Sequence, residues 1–204
     1  MKINNACSQY STIILSAGLS IRMKQCKQIL PWGNTTILGR IIDVFQRCSI
    51  GEIVVVSGGY RSEVEAEVKK FGVNTIFNEK FENGEMVDSV KKGLSTIDET
   101  VDGVFIALGD QPMITSEDII GMVNQHQSNK DKLVIPSYNW RRGHPWLIPQ
   151  KFVPELLEIQ VPKTLRDFIN LHTEDISYYP VKSSNILADL DSPEEYERIK
   201  PKPN

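Results

Sequence analysis

The chain has 204 residues, enough for one domain of ordinary size with a substantial core. Hydrophobic residues make up 40% and charged residues 24%, a globular balance. The net charge of −3, from 23 basic and 26 acidic residues, excludes a general electrostatic grip on nucleic acid, so any anion must be held by a local cluster. The three cysteines, Cys7, Cys26 and Cys48, form no CxxC pair, which argues against a disulfide framework or a zinc site and predicts reduced thiols. No apolar run approaches the roughly 20 residues that span a bilayer, and the opening "MKINNACSQYS" has no apolar signal core. The expectation is a cytoplasmic protein with neither a membrane nor a nucleic-acid partner.

In chain order, "STIILSAG" is a β-branched run ending in small residues, a buried strand followed by a loop. "TTILGRIIDVFQRC" has helical spacing, with Thr35 or Thr36 as N-cap. "EIVVVSGGY" reads as a second buried strand, "RSEVEAEVKKFG" as a helix closed by Gly72, "VNTIFNE" as a short strand and "MVDSVKKGLSTI" as a helix. "VDGVFIALGDQP" is a further buried strand, broken by Gly109 and Pro112. "TSEDIIGMVNQHQ" is a helix with the Thr115–Asp118 spacing of a capping box, and "KLVIPSY" is a strand.

Alternation of strand and helix to about residue 137 predicts an α/β fold, a mostly parallel sheet with helices on both faces. Ligands in such sheets lie beyond the carboxyl ends of the strands, and three strands end there in unusual chemistry: "SAGLS", "SGGY" and "LGDQP". The last third is less regular. "RRGHPWLIP" reads as a strand entered from a turn, "KFVPELLEI" and "KTLRDFINLH" as helices, "DISYYPV" as a strand, and "LADLDSPEEYERIK" as a loop before a capped helix. The tail "PKPN" is expected to fray. No repeat or linker interrupts the chain, so one domain is expected.

The loop "SAGLSIRMKQCK" holds the sharpest question. Ala17 and Gly18 allow a tight turn and a close backbone approach, and Ser20, Arg22, Lys24 and Lys27 follow within a few residues. Exposed N–H groups plus cations make an anion site, but neither GxxxxGK[ST] nor GxGxxG is present. A polyanion such as a triphosphate fits this loop; a solvated basic turn is the plainer alternative.

The pattern small-Ala-Gly-x-Ser-x-Arg-Met, then Lys27, then "QILPWG", resembles the signature loop of the nucleotidyltransferases that finish molybdenum cofactors, above all the cytidylyltransferase branch. The resemblance continues in order through "NEKFENGEMVDSVKKGL", "LGDQPMI", "RRGHPWLI" and "DLDSPEEYE", and so covers most of the chain. There are departures. Lys24 stands where the family has glycine after Arg-Met, Ser16 replaces the first alanine, and "VPKTLRDFI" lacks the family's Gly-Asp-x-Gly-(Ala)-Arg pattern.

The resemblance implies a Rossmann-like three-layer αβα sandwich of the nucleotide-diphospho-sugar transferase type, with a nucleotide-binding part at about 10–137 and an acceptor-binding part at about 138–200. It implies Mg²⁺-dependent transfer of CMP from CTP to molybdopterin with release of pyrophosphate. The partners would be the nucleotide, the molybdenum cofactor and a xanthine dehydrogenase-type hydroxylase or its chaperone. Arg22 and Lys27 would hold the β- and γ-phosphates and the leaving pyrophosphate, and Ser16, Ala17, Gly18 and Ser20 would carry the nucleotide with them. Asn78, Gly84 and Ser89 fall on positions that contact the ribose and base. Asp110 and Asp189 would hold the metal. The alanine before the single glycine of "SAG" is cytidine-like.

Read from the residues alone, Asp110 at a strand end is either a metal ligand or a turn cap. Asp189 and Asp191 share one face if their segment is extended, so either could join Asp110 on a metal; Asp191 also reads as a cap of the helix that Pro193 begins, with Ser192 its rival for that place. Gly58 and Gly59 border the base or form an ordinary turn, and Gly109 lets phosphates come close. Arg142 and His144 are read as acceptor-binding, with an exposed turn residue the equal alternative for the arginine. Trp140 and Trp146 stack on a planar ligand or simply pack. Guanylyl transfer, transfer to a sugar phosphate or small phosphorylated acid, and a non-catalytic nucleotide or cofactor carrier are the competing functions.

Overall fold

The first strand sets the frame. In the computed structural model, which describes residues 5–160 and 162–201, β1 (Tyr10–Ser16) is buried at every residue but Leu15, which is partly buried. Ile13 and Ile14 belong to cores on opposite faces of the sheet, as strand alternation requires. A two-residue hairpin follows, β2 (Pro31–Trp32) and β3 (Thr35–Thr36), turned at Gly33 with φ 62°. Then come α1 (Ile37–Arg47), β4 (Glu52–Ser57), α2 (Arg61–Lys69), β5 (Asn74–Phe77), α3 (Met86–Leu94) and β6 (Gly103–Leu108). The rest is α4 (Ser116–Ser128), β7 (Leu133–Tyr138), β8 (Arg141–Arg142), β9 (Trp146–Pro149), α5 (Val153–Glu158), α6 (Leu165–Leu171), β10 (Ile176–Pro180) and α7 (Pro193–Ile199).

The sheet order is β10-β7-β9-β6-β1-β4-β5, with β8 paired to β7. β1, β4, β5 and β6 are mutually parallel where they pair, whereas β9 is antiparallel to both β6 and β7. The chain runs outward from β1 through β4 to β5, then returns to place β6 on the other side of β1. The β1/β6 edge is therefore the switch point where open α/β sheets open a crevice. Helices α1, α2, α4 and α7 pack on one face and α3, α5 and α6 on the other, giving the three-layer α/β architecture expected.

Capping follows the sequence closely. Thr36, not Thr35, caps α1 by accepting from Gly39 N at 2.9 Å. Thr115 and Asp118 form the capping box of α4, and Gly72, at φ 64°, turns the chain after α2. The strand expected at "RRGHPWLIP" is two strands, β8 and β9, separated by a turn containing a cis His144–Pro145 bond. Among the described residues, no helix is long and apolar enough to cross a membrane. Residues 1–4 of "MKINNACSQYS", Val161 of "VPKTLRDFI" and residues 202–204 of the "PKPN" tail lie outside the described residues.

Candidate active site at the strand ends

Backbone contacts pull the loops after β1, β4, β5 and β6 to one edge. Gly109 N donates to Leu15 O at 2.9 Å, Gly59 N to Ala17 O at 3.1 Å, and Asn78 N to Ser57 O at 2.9 Å. A Cβ on Gly109 would collide with Ser16 Oγ, and one on Gly58 with the Ala17 backbone. These two glycines join neighbouring loops. The space that a side chain at Gly109 would need is taken by Ser16. Gly58 likewise lies against Ala17 and outside the cleft lining. Ser16 is buried, its hydroxyl without a hydrogen-bond partner.

Beyond these loops lies a cleft of about 280 Å³ lined by Ala17, Gly18, Lys27, Asn78, Gly84, Ser89 and Asp110, all expected from the sequence. Gln28, Phe81, Glu85 and Met86 line it too. Asn78 and Ser89 are buried and bonded to each other, the amide donating to the hydroxyl at 2.9 Å, while Asn78 Oδ1 accepts from Lys80 N. Ser20 and Arg22 are outside this lining. Ser20, at φ 46°, accepts from the backbone of Met23 and Lys24. Lys24 itself has φ 55° and is exposed. The family glycine thus falls on a left-handed position, which glycine occupies at little cost and lysine does not.

Lys27 is the centre of the charge network. Its ammonium donates to Asp110 Oδ2 at 2.5 Å and to Asp191 Oδ1 at 2.8 Å, and the Arg22 guanidinium donates to Asp191 Oδ2 at 2.5 Å. Burial works against the Lys27 cation, but the two carboxylates outweigh it and hold its pKa above the usual lysine range. Burial pushes Asp110 up, and the carboxylates of Asp189 and Asp191 push the same way against the pull of Lys27. Asp191 is burdened by burial too, yet Lys27 and Arg22 together hold it below the usual carboxylate range. Asp110 Oδ1 is sealed from solvent without a hydrogen-bond partner. Asp189 is exposed and fixed by Gln111, whose amide donates to it at 2.6 Å. Among the described residues, no three His, Cys, Asp or Glu side chains form a metal-holding group. A magnesium ion asks for fewer: one or two carboxylates, with phosphate oxygens and water completing its shell.

The reading of Asp191 as a helix cap is overturned. Ser192 caps α7, its hydroxyl accepting from Glu195 N at 3.2 Å, and Glu195 reaches back to the Asp191 and Ser192 amides. The carboxylate of Asp191 faces the cations instead. Its distance in sequence from Lys27, 164 residues, hid this pairing.

A second hollow of about 500 Å³ adjoins the cleft, with Met86 in both linings. Arg142, His144 and Trp146 line it from the β8–β9 turn, and Thr164, Arg166 and Asn170 from α6. Arg142 is braced by donating to Tyr178 Oη at 3.0 Å and Asn170 Oδ1 at 3.1 Å. His144 stacks on Trp146, ring centroids 4.5 Å apart, with its Nε2 sealed and unpartnered. Burial lowers the His144 pKa to about 4, so the ring is neutral at neutral pH. Trp140 is 87% exposed and belongs to neither hollow. The α6 residues went unnoticed in the sequence because "KTLRDFIN" has no motif there, although an arginine two residues past the Thr164 helix cap was a readable sign.

Comparison with known proteins gives the chain's family. The molybdenum cofactor cytidylyltransferase of Escherichia coli (strain K12) is 30% identical over 192 residues, covering 93% of this chain and 94% of that protein. A crystal structure of the Mycobacterium sp. strain JC1 homologue of Mycobacterium tuberculosis Rv0371c superposes with a TM-score of 0.82 at 27% identity, covering 94% and 95% of the two chains. A manganese complex of Rv0371c itself superposes at 0.79 with 22% identity, over 94% and 98%. Residues 12–176 match the MobA-like NTP transferase domain. The chain belongs to that family, and is a nucleotidyltransferase.

Proposed function

We propose that the protein transfers CMP from CTP to the molybdopterin form of the molybdenum cofactor, in the cytoplasm, and releases pyrophosphate. The observation that carries the reading is Lys27, gripped between Asp110 and Asp191 at the mouth of a cleft on the β1/β6 edge. The end-to-end likeness to the Escherichia coli cytidylyltransferase supports the choice of base and acceptor. The product would serve a xanthine dehydrogenase-type hydroxylase.

In this reaction an acceptor phosphate oxygen forms a bond to the α-phosphorus of the nucleotide. The bond from that phosphorus to the bridging oxygen breaks, and its electron pair leaves with pyrophosphate. An ionised phosphate needs no general base, so the work is alignment and charge stabilisation. Lys27 and Arg22 supply cations to the β- and γ-phosphates and to the leaving group. Ala17 and Gly18 offer backbone to the nucleotide, and Asn78, Ser89 and Gly84 line the side where base and ribose would lie. Asp110, through its unpartnered Oδ1, and Asp189, steadied by Gln111, fit a Mg²⁺ ion. When bound, the ion supplies positive charge against the triphosphate. The manganese complex of the mycobacterial relative supports a divalent ion on this fold.

The acceptor would occupy the hollow beside the cleft. The stacked His144–Trp146 pair offers a flat apolar face, and Arg142 with Arg166 offers cations. Pyrophosphate release from CTP, GTP, ATP and UTP, with Mg²⁺ and with or without molybdenum-loaded molybdopterin, tests the proposal. Cofactor-dependent release from CTP is the expected result. Release from GTP alone would overturn the base, and release that ignores the cofactor would overturn the acceptor.

A further inference from the structure

We propose that Tyr178 and Asn170 are positioning residues for Arg142. They hold its guanidinium by neutral hydrogen bonds, so that its whole charge is kept for an acceptor with an anionic group, a phosphate or a carboxylate, in the hollow beside the cleft. The inference deepens the function proposed above and rests on the hollow being the acceptor's place, and on neither the base nor the molybdopterin ring.

Arg142 ends β8, a strand of two residues paired to β7. So short a strand does little to aim a long, flexible side chain, and the aim comes from two other elements. Nε donates to Tyr178 Oη on β10 at 3.0 Å, and Nη1 donates to Asn170 Oδ1 on α6 at 3.1 Å. Both anchors are themselves fixed. Tyr178 packs partly buried against the core that holds Phe168 and Ile169, the residues just before Asn170 on α6. The arm is therefore ordered before any ligand arrives, and its ordering is not charged against binding.

The neutrality of this brace sets Arg142 apart. Arg22, Arg40, Arg47 and Arg61 each meet a carboxylate. Among the described residues Arg142 meets none, and a phenol oxygen and a carboxamide oxygen hold it instead. A carboxylate in either place would steady the arm equally well and cancel its charge. A guanidinium has five N–H groups, of which the brace takes two, so three remain for a ligand. Arg142 and Asn170 both line the hollow, and Tyr178 does not. An oriented guanidinium with its charge uncancelled suits a phosphate or carboxylate oxygen pair.

Inorganic phosphate is the probe, titrated at low ionic strength so that the charge is not screened. Its arrival is read on the indole N–H signal of Trp146 by NMR. That group donates to Gly143 O at 2.9 Å, in the turn beside Arg142, and Trp146 lines the hollow. The unaltered protein should show a saturable shift. Tyr178→Phe should weaken the apparent Kd about three- to tenfold, for the loss of one hydrogen bond. Asn170 is exposed, so Asn170→Asp leaves the fold intact; it keeps an oxygen for Nη1 and adds a negative charge. It should weaken phosphate about tenfold or more, a change that a brace serving the fold alone would not register. In the Arg142→Gln background Tyr178→Phe should add nothing, because it acts through the arginine. In turnover, Tyr178→Phe should raise the acceptor KM by the factor seen with phosphate and leave kcat close to its unaltered value. Unchanged phosphate binding in either single variant, or no Trp146 shift in the unaltered protein, would overturn the inference. Pyrophosphate release from the four nucleotides tests the cytidylyl reading separately, and its failure would leave the phosphate titration standing.

Discussion

The proposed nucleotide side and the proposed acceptor side of this molecule are built in different ways. The first is made of loops that leave four neighbouring parallel strands, with glycines letting their backbones touch and one lysine bridging two acids. The second is assembled from short pieces: the turn between β8 and β9, one face of α6, and Tyr178 on β10 bracing Arg142. One side draws its geometry from the sheet, and the other draws it from side chains that meet only after folding. Damage to the first should therefore remove chemistry, and damage to the second should shift acceptor affinity.

The strongest way to break that contrast is Lys27→Met. It strips charge from the phosphate site, and kcat/KM for the nucleotide should fall by about 10²–10³-fold or more. If instead the acceptor KM alone changed, the division would be wrong. Trp146→Ala should act on the other side. Loss of a stacking face costs about 1–3 kcal/mol, so the acceptor KM should rise roughly tenfold or more with the nucleotide KM unmoved. Steady-state kinetics with each substrate varied in turn checks both.

A milder effect concerns pH. His144 is held neutral by burial, with its pKa lowered from 6.5 to about 4. Between those values the unfolded chain takes up a proton that the folded chain refuses, so stability should drop as pH falls from 6.5 toward 4. The full contribution is about 3 kcal/mol. Denaturant unfolding of His144→Gln should show a flatter profile over that range. A residual slope should remain from His126, fully buried and also shifted down by burial. The smallest expected effect is at Lys24→Gly. Relief of a left-handed lysine should stabilise the fold by about 0.5–1 kcal/mol, a rise of roughly 2 °C in melting temperature.

What the sequence disclosed follows the same divide. The strands "STIILS", "EIVVVS" and "GVFIAL" announced themselves by buried β-branched runs, and the small residues after them located the cleft. Most of the residues expected to meet the nucleotide do line it. The antiparallel entry of β9 was hidden, since a four-residue strand carries no sign of its direction. The role of Asp191 was hidden because a cap and an ion-pair partner look alike beside "SPEE" until the fold brings Lys27 across 164 residues. The contribution of α6 was missed because its lining residues, Thr164, Arg166 and Asn170, are spaced for a helix face and match no motif. Gly109 was visible as necessary, but what it makes room for, Ser16, is a packing fact that sequence spacing does not encode.

The most direct test of the Lys27–Asp110 centre is single-turnover pyrophosphate release by Asp110→Asn, with CTP, Mg²⁺ and saturating molybdenum-loaded molybdopterin, beside the unaltered protein. The substitution keeps the size of the side chain and removes its charge. The account predicts a loss of at least about 10³-fold in the rate, because that carboxylate would hold the metal ion whose positive charge offsets the triphosphate. A rate within a few-fold of the unaltered protein would contradict it and move the chemistry away from the β1/β6 edge.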